Sequence, residues 1–285
     1  MFSSNFVRLI HFYNNLAIQH LKKKSNIHEN IHQARLCFKR IRSFLRLGRS
    51  GTGEQPYMHY NIFYRDLARS LSQLRDVTAL IETLPPFIKT RRSKASRAFL
   101  TSFRNKLVAQ RKYQLEQIIA GNIMADVIKA LGHKSEEIEK WNFETNSLDV
   151  FITGATVIYK RGKKLFSLAQ SNPDDYSLHE WRKQVKYFWY QLLVLTPLWP
   201  GMLTAWAKEV QTLSQLLGKH HDLVLLEHGL SSLNTDKKNT VILKSLRQSI
   251  RIRKLQIEKR CLVLGAKLYA EDSASVREKL KPYQV

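Results

Sequence analysis

His32, Arg35, Lys39, Arg42 and Arg46 recur at steps of 3, 4, 3 and 4 residues within the segment from Ile31 to Leu47. At about 100° per residue, that spacing places all five on one face of a helix. Such a row suits phosphate oxygens. Guanidinium offers a planar fork to them, and ammonium a mobile point charge. Ala34, Phe38, Ile41 and Leu45 form a second, apolar face of the same segment. The mean directions of the two faces lie roughly 110° apart on the same helical geometry. An ordinary surface helix sets its charges opposite the core. Here the cations border the apolar face, where they can line a groove between packed helices.

The pattern returns between Leu178 and Leu195. At a shift of 147 residues, His32 falls on His179, Arg35 on Arg182 and Lys39 on Lys186. Lys183 adds a cation beside Arg182, and Trp181, Val185, Phe188 and Leu192 repeat the apolar face. The copy is imperfect, because Trp189 stands at the place of Arg42 and Leu193 at that of Arg46. A second element repeats at a shift of 146 residues: Leu71-Ser72-Gln73-Leu74-Arg75-Asp76 and Leu217-Gly218-Lys219-His220-His221-Asp222. Each precedes an apolar run. Asp76 and Asp222 fit a helix N-cap, or an acceptor that orients a nearby Arg or His. A repeat at this distance signifies two halves of one design. It predicts a single domain over about residues 4–270, with halves at 4–131 and 147–270 and a frayed tail at 271–285.

The 285 residues carry a net charge of +24 and an isoelectric point near 10.1. Such a field favours a polyanion: nucleic acid, an anionic membrane or a phosphate polymer. Because the charge is striped, it is more than a solubilising coat. Hydrophobic residues make up 44% of the chain, enough for a sizeable core. Cys37 and Cys261 match no metal-ligand spacing and read as reduced core residues. No run of about 18 apolar residues offers a membrane span. The N-terminal stretch lacks the layout of a signal peptide, since Arg8, His11, Asn14 and Asn15 interrupt its apolar part. A cytoplasmic protein is expected.

The elements that must position these residues read as helices throughout, with no period-2 strand flanked by hairpin turns. Asn26 and Glu29 resemble a capping box opening the first motif helix, which ends near Gly48. Gly48 to Pro56 reads as a flexible connection. One helix is expected from Tyr57 to Pro85-Pro86, and another to Gly121. A short helix from Ile123 to Leu131 and a polar stretch from Gly132 to Asn146 join the halves. Helices follow over Leu148 to Gln170, over the second motif to Pro197, from Met202 to a joint in the Leu217–Leu230 region, and from Asp236 to Tyr269. Two further stripes are secondary candidates: Arg97, Arg104 and Arg111, seven residues apart, and Lys244, Arg247, Arg251 and Lys254.

The ordered pairs of motifs resemble the CHAD family, the conserved histidine α-helical domain. The first motif is His-x-x-Arg-x-x-x-Lys/Arg-x-x-Arg, and the second, some thirty residues later, is Leu-Gly-x-x-Arg-Asp; both then occur again. The resemblance covers most of the chain. It implies an all-α fold of two pseudo-symmetric antiparallel helical bundles around a basic channel. It also implies binding of inorganic polyphosphate without catalysis and with no cofactor. The residues it carries over are His32, Arg35, Lys39, Arg42, Arg46, His179, Arg182, Lys183 and Lys186. Polyphosphate granules and polyphosphate-metabolising enzymes become the expected surroundings. The chain departs from the pattern at Ser72 for glycine, His221 for arginine and Trp189 for a basic residue.

Each histidine taken alone fits a neutral core residue bonded to a backbone carbonyl. Repeated with Arg and Lys, His32 and His179 fit phosphate contact, with binding strengthening below about pH 6.5. The secondary stripes fit a solvated face equally well. His220, His221 and Asp222 sit too close in sequence to converge on one metal ion without further ligands, so a helix joint is expected there. Two other functions remain. Nucleic-acid binding is supported by net charge, but no zinc finger, RNP signature or clear helix-turn-helix is present. A phosphohydrolase needs carboxylates near the phosphates, and the motif helices are poor in acids. Glu136-Glu137-Ile138-Glu139-Lys140 is similar to the Glu-x-Glu-x-Lys motif of triphosphate tunnel enzymes, but in the wrong register.

Overall fold

Helical apolar periodicity is realised as α-helix along the chain, and among the described residues no strand occurs. The computed structural model describes residues 2–139, 148–231, 233 and 237–281. The first part of the chain forms α1 (Phe2–Lys22), α2 (Ile27–Leu47), α3 (Arg49–Thr52), α4 (Glu54–Ser70), α5 (Ser72–Thr83), α6 (Pro85–Thr90), α7 (Lys94–Ala120) and α8 (Ile123–Glu139). The second part forms α9 (Leu148–Ser171), α10 (Asp175–Leu195), a 3-10 turn (Thr196–Leu198), α11 (Pro200–Ser231), α12 (Lys237–Leu268) and α13 (Ser273–Leu280).

Two apolar cores organise these helices. The larger joins α1, α2, α4 and α8 to α9, α10 and α13, with the N-terminal part of α11 and the C-terminal part of α12. Phe6, Phe38, Tyr64, Phe151, Trp181 and Phe188 are its large buried side chains. The smaller packs α5, α6 and α7 against the C-terminal part of α11 and the N-terminal part of α12. The long helices α11 and α12 therefore serve both cores, and the larger core draws on both parts of the chain.

The two motif helices, α2 and α10, lie side by side. The Ser43 hydroxyl donates to the Tyr187 carbonyl at 2.8 Å, and the Gln191 amide donates to the Ser43 carbonyl at 3.2 Å. Both side chains are fully buried, so this polar clamp works in a low dielectric and fixes the register of the pair. Behind α2, Gly154 of α9 lets two backbones meet. A Cβ at that position would sit 2.0 Å from the Leu47 carbonyl oxygen.

Several element boundaries differ from the sequence reading. Asn26 adopts the left-handed conformation (φ 48°) and makes no side-chain cap bond, so the expected capping box is absent. Instead the Asn30 side chain donates to the Ser25 carbonyl at 2.6 Å and holds the turn. The Gly48–Pro56 connection contains the one-turn helix α3, with Gly51 buried, and turns sharply at Gly53 (φ 82°). The helix expected from Tyr57 breaks at the buried Leu71 into α4 and α5. Pro85 ends α5 and opens α6, where its missing N–H costs nothing. No joint interrupts α11, because its polar run is absorbed: His220 is buried, while His221 and Asp222 face a groove. Asp76 and Asp222 lie inside helices, so neither is an N-cap. The stretch read as a frayed tail carries α13. The Asp272 carboxylate accepts from the Ala274 and Ser275 amides at 2.8 Å, and Val276 and Leu280 are buried. The polar linker expected to Asn146 is helical to Glu139. Residues 140–147, including Lys140 of the Glu-x-Glu-x-Lys-like segment, lie outside the described residues, as does Asp236.

Candidate anion-binding groove

Four helices wall a cavity of about 450 Å³. From α2 come His32, Arg35, Lys39 and Arg42. From α5 come Arg75 and Asp76. From α10 come His179, Arg182, Lys183, Lys186, Tyr187 and Tyr190, and from α11 come His221 and Asp222. Seven Lys or Arg side chains thus face two Asp carboxylates. The helical spacing of the two motifs explains the convergence. Each helix buries its apolar face in the core, and its cationic row, at the shoulder, turns toward the partner helix.

A second lobe of about 460 Å³ shares Arg35, Lys39, Arg42, Lys183 and Tyr187 with the first. Arg46 lines this lobe, together with Arg65 and Arg69 of α4 and Arg161 of α9. Arg46 is held by the Arg42 carbonyl at 2.5 Å and by the Tyr187 ring, whose centroid lies 4.2 Å from the guanidinium carbon. Arg42 Nε donates to Asn61 Oδ1 at 3.1 Å.

The groove is electrostatically costly. Burial pulls Lys39 well below the ordinary lysine range, and Lys186, Arg35, Arg182 and Arg75 push it the same way. Lys186 falls to about 8, first through burial and then through Arg182, Arg40 and Arg75. Its ammonium lies 5.8 Å from the centroid of the Tyr190 ring. Burial lowers Arg35 and Arg182 too, while Asp76 supports the charge of Arg35 and Asp222 that of Arg182. Both carboxylates lie inside helices and sit near these arginines, and neither caps a helix. Arg35 donates to the Ala68 carbonyl. The Nε atoms of Arg35 and Arg182 are buried without a hydrogen-bond partner. Lys183 is partly neutralised by Glu180 at 2.5 Å.

The groove's histidines are held below their ordinary range. Burial, followed by Arg75, drives His32 down to about 4. Burial, followed by Arg182 and His179, drives His221 to about 4. His179 is lowered as well. The Nδ1 atoms of His179 and His221 lie 3.2 Å apart, within hydrogen-bond distance. Near neutral pH the free groove thus holds neutral imidazoles beside guanidinium groups. Among the described residues, no group of three or more His, Cys, Asp or Glu side chains is placed to hold a metal ion.

The secondary stripes lie elsewhere. Arg97, Arg104 and Arg111 are on α7, and Lys244, Arg247 and Arg251 are on exposed turns of α12; none lines the groove. Lys254 is bound to Asp175 at 2.7 Å and to Glu227 at 3.0 Å. Arg75 and His221 are groove residues that the sequence reading did not assign. The signal was available, because they occupy the same place in the repeated element, each preceding its Asp. Arg65, Arg69, Arg161, Tyr187 and Tyr190 carried no comparable mark.

The CHAD domain family model matches residues 16–231, a span that includes both motif helices and both repeated Asp elements. No curated protein matches the chain. Among solved structures, the crystal structure of the CHAD domain from the plant Ricinus communis is similar, with 19% sequence identity and a TM-score of 0.55. That likeness covers 97% of this chain and 88% of that one, and at such identity it speaks for the fold. Most of the chain falls within the family match, and the chain belongs to the CHAD domain family.

Proposed function

We propose that this protein binds inorganic polyphosphate in the groove between α2, α5, α10 and α11, without catalysing its breakdown. The observation that carries the reading is the convergence of Arg35, Lys39, Arg42, Arg75, Arg182, Lys183 and Lys186 on one cavity. A polymer with about one negative charge per phosphate and no bases needs a continuous row of cations and no sequence-reading edges. The two lobes share a wall of cations and offer such a row a continuous path. The groove's carboxylates, Asp76 and Asp222, face arginines. That pairing supports positioning in preference to phosphoryl transfer. On this reading the protein acts in the cytoplasm, at polyphosphate granules or beside enzymes that make or consume the polymer. No helix among the described residues is long and apolar enough to cross a membrane.

Competition at fixed ionic strength tests the reading, because phosphate-driven affinity falls steeply with salt. Labelled long-chain polyphosphate is displaced by tripolyphosphate, single-stranded RNA or duplex DNA near 150 mM salt. Polyphosphate is expected to win by orders of magnitude per phosphate. Equal competition by RNA or DNA would move the function to the open basic faces of α7 and α12.

A further inference from the structure

Lys39 stands where the two lobes of the groove meet and lines both. The charges that face it are cations from three helices: Arg35 of α2, Arg75 of α5, and Arg182 and Lys186 of α10. Arg42 and Lys183 line the same wall. From α11, His221 is neutral near pH 7 and Asp222 serves Arg182. On the α4 side the second lobe adds Arg65 and Arg69, and on the α9 side Arg161. Among the described residues the Lys39 amine makes no hydrogen bond or ion pair. Asp76, the other carboxylate of the groove, supports Arg35. An amine in this position has little reason to hold its proton, and a free amine is a nucleophile. The same cations that discourage its charge form a cradle for a phosphate group beside it.

We propose that Lys39 is a covalent modification site for small acyl phosphates. The phosphate of a single acyl phosphate docks on Arg35 and Arg182, whose two positive charges match its own and leave the Lys39 amine free, and the acyl carbon is presented to that amine. This deepens the phosphate-groove reading and rests on it. The Lys39 nitrogen pair attacks the acyl carbon, the C–O bond to phosphate breaks, and inorganic phosphate departs with the electron pair. The nitrogen loses its proton to solvent, leaving a neutral amide. The guanidinium groups stabilise the charge that builds on the leaving phosphate. The modified side chain can no longer become a cation when polyphosphate enters. Acylation at Lys39 therefore weakens the groove at the wall its two lobes share.

The test exposes the intact protein to acetyl phosphate at pH 7.5 and maps acetyl groups by peptide mass spectrometry over time. Lys39 is expected to react at least about tenfold faster than the exposed Lys208 and Lys244, because its free-base fraction rises more than its nucleophilicity falls. Tripolyphosphate should suppress reaction at Lys39 and leave Lys244 unaffected. Lys39→Arg should abolish the fast adduct, and Lys39→Gln should reproduce the affinity of the acetylated protein for polyphosphate. A titration of unmodified protein with long-chain polyphosphate runs in parallel. Tight polyphosphate binding with Lys39 no faster than Lys244 overturns the acylation proposal alone. Fast, tripolyphosphate-protected acetylation of Lys39 without polyphosphate binding supports the modification site and overturns the polymer reading. Loss of both removes the phosphate groove altogether.

Discussion

At the scale of single residues, the groove is built from cations held in an unfavourable place. Lys39 is crowded by Lys186, Arg35, Arg182 and Arg75, and Arg182 keeps a buried Nε with no partner. Replacing a buried charge, or a buried amine without a hydrogen-bond partner, by an apolar side chain of similar volume is often stabilising. Lys39→Met is therefore expected to raise the melting temperature of the free protein by a few degrees. The same change removes one charge-assisted contact of about 1.5–3 kcal/mol, so polyphosphate affinity should drop about 10- to 100-fold. Thermal melts and titrations of the same preparation read both. A lower melting temperature would mean that the ammonium is satisfied in the free protein. Arg35 behaves otherwise, because it also donates to the Ala68 carbonyl between α2 and α4. Arg35→Ala should lose stability together with affinity. The clean loss-of-binding variant is therefore Lys39→Ala, Arg182→Ala and Lys186→Ala combined, with helicity unchanged by circular dichroism.

At the scale of elements, the shape of the groove depends on how tightly α2 is held against α9 and α10. Gly154→Ala places a methyl 2.0 Å from the Leu47 carbonyl oxygen, and backbone cannot yield as a side chain does. Overpacking of this kind costs about 1–3 kcal/mol. We expect a lower denaturation midpoint together with weaker polyphosphate binding, although residue 154 lies outside the groove. A destabilised variant with unchanged affinity would show that the end of α2 near Leu47 does not govern the cation row. Much of this element scale was legible in the sequence. α9, α10 and α12 begin and end within a few residues of their periodic patterns, and the two motif helices announce themselves by the repeat. What was not legible was decided by packing over distance. The break at Leu71 carries no Gly or Pro and follows from burying that leucine. His220 through Asp222 look like a joint only until the groove gives two of the three a place to face. The Arg97 stripe on α7 and the Lys244 stripe on α12 resemble the Arg35 stripe locally. What separates them is which helices pack alongside, and their own spacing holds no record of that.

At the scale of the whole molecule, the free groove is a store of unfavourable charge that a polyanion relieves. The pH dependence follows with a definite sign. Folding lowers His32 and His221 from the ordinary 6.5 to about 4. Between those values the unfolded chain binds protons that the folded chain refuses, so stability rises with pH. The free protein should therefore lose stability as pH falls from about 6.5 toward 4. Polyphosphate reverses the electrostatics, since nearby negative charge favours the protonated forms of Lys39, Lys186, His32 and His221. Saturation at about 100 times Kd adds about 2.7 kcal/mol to stability. For a chain of this size that is a rise of about 5 °C in the melting temperature. It also requires proton uptake on binding, largest where Lys186, at about 8, is partly discharged, with the lowered Lys39 adding to it. Calorimetric titrations at pH 7.5 in buffers of different ionisation enthalpy read this directly. The observed heat should vary with buffer in the sense of protons taken up, and affinity should strengthen as pH falls from about 9 toward 6. Heats independent of buffer would mean that the anion never meets Lys39 and Lys186, and the site would then have to be sought on the outer faces of α7 and α12.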